Sequence, residues 1–142
     1  MLTPMIVEDN ITFRKMFKGE LLSRFPSMEV IEARNGEEAF KALASSPIDL
    51  IFMDIRLPRQ NGLQLTRKIK ADRQDMPIMI VSGHDSSEYR EAAIRCGASS
   101  FVSKNSFNIE GISTFVSCFQ KAKDDGRLRP TCLRLESGEF CH

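Results

Sequence analysis

The chain has 142 residues, with 20 Lys and Arg against 19 Asp and Glu, a formal net charge of +1, 42% hydrophobic and 27% charged residues. That length suits one domain with a real core, and the balanced charge lacks the basic excess of a nucleic-acid-binding surface. No apolar run nears the ~18 residues of a membrane span, and Met1-Leu2-Thr3-Pro4 lacks the basic and apolar segments of a secretory signal, so a cytoplasmic location is expected. The four cysteines (Cys96, Cys118, Cys132 and Cys141) are scattered and form no CxxC pair, so reduced thiols are the better reading.

Met5-Ile6-Val7 is a short apolar run ending in Glu8-Asp9-Asn10, a strand that delivers carboxylates at its carboxyl end. Phe13, Met16, Phe17, Leu21 and Phe25 follow at helical spacing, with Arg14, Lys15, Lys18 and Glu20 on the other face, and Pro26 stops the helix. Met28, Val30 and Ile31 give a second strand. Asn35-Gly36 signals a turn, and Ala39, Phe40, Leu43 and Ala44 mark a short helix before Pro47.

The central stretch is Leu50-Ile51-Phe52-Met53-Asp54, followed by a turn cluster with Pro58, Asn61 and Gly62. A continuous apolar run bounded by turn signals reads as a strand buried on both faces, as in a parallel sheet. Asp54 therefore emerges at the sheet's carboxyl edge, where open α/β sheets bind ligands. Leu65 and Ile69 place a third helix. Ile78-Met79-Ile80-Val81 is a fourth strand ending in Ser82-Gly83-His84. Asp85, Ser86 and Ser87 are candidate caps for a helix that turns Tyr89, Ala92, Ala93 and Cys96 to one face and ends at Gly97. Phe101-Val102 is a fifth strand delivering Lys104, and Ile109, Ile112, Val116 and Phe119 follow helical periodicity to about Lys123.

Five strands alternating with five helices imply an α/β, doubly wound, five-stranded parallel sheet with helices on both faces. The domain is expected over residues 1–123. Residues 124–142 carry no clear period and a formal charge of −1, from three Arg against two Asp and two Glu, and are expected as a tail or linker.

With the strand order 2-1-3-4-5, the first and third strands are neighbours at the topological switch point. Glu8, Asp9 and Asp54 then share an acidic pocket flanked by Ser82 and Lys104. Clustered carboxylates repel one another unless protonated or met by a cation, and an all-oxygen set suits a hard cation such as Mg²⁺. A carboxylate can carry a covalent aspartyl-phosphate, while a cation, an ammonium and a hydroxyl hold the oxygens of the transferring group. Each member taken alone has a plainer reading. Glu8-Asp9 could cap a helix, Ser82 could be structural, Lys104 a solvated charge and Phe101 core. Their coincidence on successive strand ends favours the phosphoryl-accepting site.

At this point the chain, from residue 5 to about 123, resembles a response-regulator receiver domain of two-component signalling, flavodoxin-like in fold. The motifs are Ile6-Val7-Glu8-Asp9-Asn10, Met53-Asp54-Ile55-Arg56-Leu57-Pro58 with Asn61-Gly62, Val81-Ser82-Gly83, and Gly97-Ala98 leading to Phe101-Val102-Ser103-Lys104. The resemblance implies that Asp54 accepts phosphate from a sensor histidine kinase or phosphotransfer protein. It implies Mg²⁺ ligation by Glu8, Asp9, Asp54 and the backbone carbonyl of Arg56. It further implies a switch in which Ser82 moves toward the phosphoryl group and Phe101 turns inward, remodelling the face of the fourth helix, fifth strand and fifth helix. Homodimerisation on phosphorylation is left open. Arg56 and His84, two residues after Asp54 and Ser82, are expected to tune dephosphorylation. Ser82 stands where Thr is more frequent, Phe101 where Tyr is, and Asn105 where Pro usually brings a cis peptide. Lys104-Asn105-Ser106 is similar to receivers attached to helix-turn-helix output domains; the tail is too short for such a domain, so a stand-alone receiver or a receiver fragment of a transcriptional regulator is expected. The expected activity is a switch with weak self-catalysed phosphotransfer, not a turnover enzyme, and no direct contact with nucleic acid or membrane is expected. The rivals are an aspartyl-phosphate phosphohydrolase, disfavoured by Arg56 where a second Asp is common, and an interaction module that is never phosphorylated. A flavin binder is weaker, because Glu8-Asp9-Asn10 would repel a phosphate.

Overall fold

Five short strands, β1 (Pro4–Val7), β2 (Ile31–Ala33), β3 (Leu50–Met53), β4 (Ile78–Ser82) and β5 (Ser100–Ser103), pair in parallel in the order β2-β1-β3-β4-β5 in a computed structural model that describes residues 1–126. The helices α1 (Ile11–Arg24), α2 (Gly36–Ser45), α3 (Gly62–Asp72), α4 (Ser87–Arg95) and α5 (Ile109–Asp124) connect them, with a single 3₁₀ turn, Lys104–Ser106, between β5 and α5. The doubly wound sheet expected from the strand and helix alternation is therefore present. The expected tail falls, from residue 127 on, outside the described residues.

Alternation along each strand divides the core in two. Met5, Val7, Ile51, Met53, Ile78, Ile80 and Phe101 face α2, α3 and α4, while Ile6, Leu50, Phe52, Met79, Val81 and Val102 face α1 and α5. Phe17, Phe52, Phe101 and Phe115 are fully buried, each contributing on the order of 1.5–3 kcal/mol by leaving water. β3 and β4 are buried along their whole length, which is why they read as unbroken apolar runs.

Asparagine sets most of the helix starts. The side chains of Asn10, Asn35, Asn61 and Asn108 accept from Phe13, Glu38, Leu63 and Glu110 amides, and Ser86 does the same for Tyr89. Each cap satisfies a donor that the helix cannot, stabilising it by about 1 kcal/mol. The two Asn-Gly pairs are thus helix starts and not free turns. At the far end of α4, Gly97 (φ +99°) and Ala98 return amides to Ile94 and Ala93. That closure needs a left-handed residue, which glycine supplies.

Several expectations need correction. Arg14, assigned to the solvent face, is buried, whereas Met16, assigned to the core, is 40% exposed. The spacing explains both. Arg14 lies three and seven residues before Phe17 and Leu21 and so shares their stripe, and Met16 does not. Tyr89, expected on the inner face of α4, is exposed, while Ala93 and Cys96 are inside. Met28 and Val30 are buried but precede β2, which pairs with β1 only over Ile31–Ala33.

Candidate functional site

The chemistry gathers at the carboxyl ends of β1, β3 and β5. β1 and β3 run side by side, and the Asp54 amide extends their ladder by donating to the Val7 carbonyl at 3.0 Å. Glu8, one residue past β1, and Asp54, one residue past β3, are 3% and 6% exposed. Lys104 enters from the end of β5 and places its ammonium between them, 2.6 Å from Glu8 Oε1 and 3.4 Å from Asp54 Oδ2. Glu8, Asp9, Asn10, Asp54, Arg56, Gly83, His84 and Lys104 line one cavity of about 310 Å³.

Electrostatics follow from that burial. Desolvation pushes the Glu8 carboxyl above its ordinary value, and the Asp54 charge adds to the rise. Hydrogen bonds from Lys104 and from the Asn10 amide, and the Lys104 charge, pull the other way without offsetting it. One ammonium is too little for two nearly buried carboxylates. The donors at this mouth are carboxylate oxygens, which match a hard divalent cation. Among the described residues no three His, Cys, Asp or Glu side chains already stand as a metal cluster. Lys104 is seated on Glu8, and Asp9 is exposed. The donor set fits the cation in chemistry, with the ammonium in the intervening space.

The loop after β3 positions Asp54 from beneath. Asp54 Oδ1 accepts from the Ile55 amide at 2.9 Å, Arg56 pairs with Asn61 in an isolated bridge, and the Gly62 amide donates to the Ile55 carbonyl at 2.7 Å. Gly62 packs so tightly that an added Cβ would lie 1.8 Å from the Asp54 carbonyl oxygen. Arg59 holds a left-handed backbone (φ +66°) within this loop.

Ser82 does not join the cavity. It is fully buried, and its hydroxyl oxygen accepts from the His84 amide at 3.1 Å. His84 lines the cavity, with its ring 5.3 Å from that of Tyr89. Phe101 is already wholly inside, with the Arg90 guanidinium 4.7 Å from its ring centre, so the inward position is occupied in this structure. No described peptide bond is cis; Asn105 instead donates to the Gly83 carbonyl and the Asp85 carboxylate.

Two further groups of residues support the site without a motif of their own. Arg14 donates to the Glu8 carbonyl at 2.8 Å and to Glu32 at 2.9 Å, bracing the acid-pair loop from within. Partial burial works against the Glu32 charge, but bonds from Arg14, Lys15 and Lys18 outweigh it and hold the carboxyl at about 2. Asp85, taken as a cap candidate, accepts from Ser103 at 2.6 Å and from Asn105 at 3.2 Å, tying the β4–α4 loop to the end of β5. Those bonds hold its carboxyl below the usual range. Arg14 was readable from its spacing to Phe17 and Leu21; the Asp85 contacts span distant loops and leave no local signal.

A family model described as "Response regulator receiver domain" matches residues 5–116. The chain belongs to the response-regulator receiver domain family. The receiver is 29% identical over 100 residues to the response regulator MprA of Mycolicibacterium vanbaalenii, covering 70% of this chain and 42% of that protein. It is 35% identical over 104 residues to a protein-glutamate methylesterase/protein-glutamine glutaminase of Geobacillus kaustophilus, covering 71% and 30%. The chain thus spans less than half the length of these relatives, and the methylesterase activity is named for that longer protein. Among solved structures, the receiver domain of NtrX from Brucella abortus superposes with a TM-score of 0.75 at 28% identity, covering 83% of this chain and 98% of that one. A CheY-like receiver domain protein from Methanospirillum hungatei shares the fold, with a TM-score of 0.76 at 22% identity over 89% of this chain and 99% of that one. Among the described residues no helix is long and apolar enough to cross a membrane, and Cys96 and Cys118 are free thiols.

Proposed function

We propose that this receiver is a phosphorylation-driven switch in which Asp54 is the phosphoacceptor. The single observation that carries the reading is the Lys104 ammonium lodged between the buried Glu8 and Asp54 carboxylates at the open edge of the sheet. The donor is a phosphohistidine on a sensor kinase or phosphotransfer protein, or a small acyl phosphate. An Asp54 carboxylate oxygen attacks phosphorus, the bond to the donor's nitrogen or oxygen breaks, and the leaving atom takes the electron pair. Water later attacks the acyl phosphate, releasing inorganic phosphate and restoring the carboxylate.

Glu8, Asp9, Asp54 and the Arg56 backbone carbonyl would hold Mg²⁺, which supplies charge neutralisation for the transferring group. Lys104, already within reach of Asp54 Oδ2, would donate to the phosphoryl oxygens. The Ser82 oxygen accepts from the His84 amide, so its own proton is available for a phosphoryl oxygen once the side chain reorients. That movement, with Phe101 and its Arg90 contact, would alter the surface of α4, β5 and α5. A local charge then biases a two-state element. Arg56 and His84, both at the cavity wall, would screen the path of attacking water and set the lifetime. The expected setting is the cytoplasm, with weak self-catalysis and no turnover of free substrates.

The test is intact mass after incubation with acetyl phosphate and Mg²⁺. One phosphoryl group should be gained, and none by Asp54→Asn or without metal. Steady release of inorganic phosphate from small esters would instead favour a phosphohydrolase.

A further inference from the structure

We infer that Phe13 is a positioning residue for Lys104, its ring giving the ammonium a second seat beside Asp54. The inference rests on the proposed role of Asp54 as phosphoacceptor. Lys104 Nζ lies 4.5 Å from the centre of the Phe13 ring, in addition to its contacts with Glu8 and Asp54. Such a contact attracts a cation through the ring quadrupole and is strongest where water is scarce; the Lys104 side chain is 22% exposed. The ring itself is held in place. Phe107 and Phe17 meet it edge to face at 5.4 and 6.0 Å, and Phe17 packs in turn on Phe52 of β3.

The need for a second seat follows from the distances. Lys104 is nearer to Glu8 than to Asp54, and Glu8 is also a proposed cation ligand. When Glu8 turns to a divalent cation, the ammonium loses its closest tether, and its flexible four-carbon stem could carry it into solvent. The Phe13 face competes for no metal, neutralises no carboxylate and keeps Nζ over the cavity. It holds the lysine where a phosphoryl group on Asp54 would meet it.

The test uses the full chain and three variants: Phe13→Leu, Phe13→Tyr, which keeps an aromatic face, and Phe25→Leu, which trims a half-buried ring of the same core cluster away from Lys104. By NMR, ring currents should displace the Lys104 ε-methylene protons upfield in the wild type, with and without Mg²⁺. The displacement should vanish in Phe13→Leu and persist in Phe13→Tyr. Uptake of phosphoryl from acetyl phosphate, read by intact mass, should slow about five-fold in Phe13→Leu and stay within about two-fold of wild type in the other two. The inference is overturned by equal uptake in Phe13→Leu and wild type, by an equal loss in Phe25→Leu, or by unshifted ε-methylene protons in the wild type. If the wild type takes up no phosphoryl group, the phosphoacceptor reading falls, and the proton shifts still decide whether the seat exists.

Discussion

Replacing Gly62 by Ala should damage this domain far more than the size of one methyl group suggests. The added Cβ would stand 1.8 Å from the Asp54 carbonyl oxygen and within 2.9 Å of Ile55 Cα. Side-chain carbons stay at least 3.0 Å from such atoms, so the α3 start and the Asp54 backbone must separate by about 1.2 Å, a shift of the overpacking kind. Two bonds sit on that contact: Gly62 amide to Ile55 carbonyl at 2.7 Å, and the Leu63 amide to the Asn61 cap at 2.6 Å. Losing one backbone bond costs about 1 kcal/mol, losing the cap about 1, and the residual clash about 1–3, a total of roughly 3–5 kcal/mol. Gly19, on the exposed side of α1 with nothing within 4 Å of an added Cβ, is the internal control. Gly19→Ala should raise stability by about 0.5–1 kcal/mol through helix propensity. Urea unfolding followed by circular dichroism measures both. If Gly62→Ala unfolds within about 1 kcal/mol of wild type, the close packing of α3 on Asp54 is not what positions the acid.

Two further predictions concern the groups around the acids. Glu32 has its folded carboxyl at about 2, below an ordinary value of 4.5. Its stabilisation is therefore present above about pH 4.5 and lost as pH falls toward 2. Arg14→Met should lower stability by about 2–4 kcal/mol at pH 7 and flatten that acid limb; an unchanged dependence of the urea midpoint on pH between 5 and 2.5 would refute the assignment. Substituting Arg56 or His84 by Ala should change the half-life of the phosphorylated form, measured as decay of the mass adduct after donor removal. Unaltered decay in both variants would remove them from the path of water.

The fold and most of the site are legible in the sequence for one physical reason. Parallel strands buried on both faces must be continuous apolar runs, so their ends are sharp, and Asp54, Glu8 and Lys104 stand at those ends. The edge strand β2 is blurred because only three residues pair and its neighbours Met28 and Val30 are buried outside it. Ser82 stands at the end of β4, as its apolar run implies, but its side chain does not line the cavity in this structure. Its hydroxyl meets the next turn's amide, a contact set by local backbone direction and not by residue type. The Phe13 ring beneath Lys104 joins two elements far apart in the chain, and helical periodicity marks Phe13 only as apolar.

An acyl phosphate on Asp54 can be trapped chemically by reduction with borohydride. The chain would be phosphorylated with acetyl phosphate and Mg²⁺, reduced, digested and sequenced by mass spectrometry. The reduced side chain, homoserine in place of aspartate, should be found at position 54 and nowhere else. This product should disappear when metal is withheld. Reduction at Glu8 or Asp9, or none anywhere in a chain shown to bind Mg²⁺, would contradict Asp54 as the phosphoacceptor.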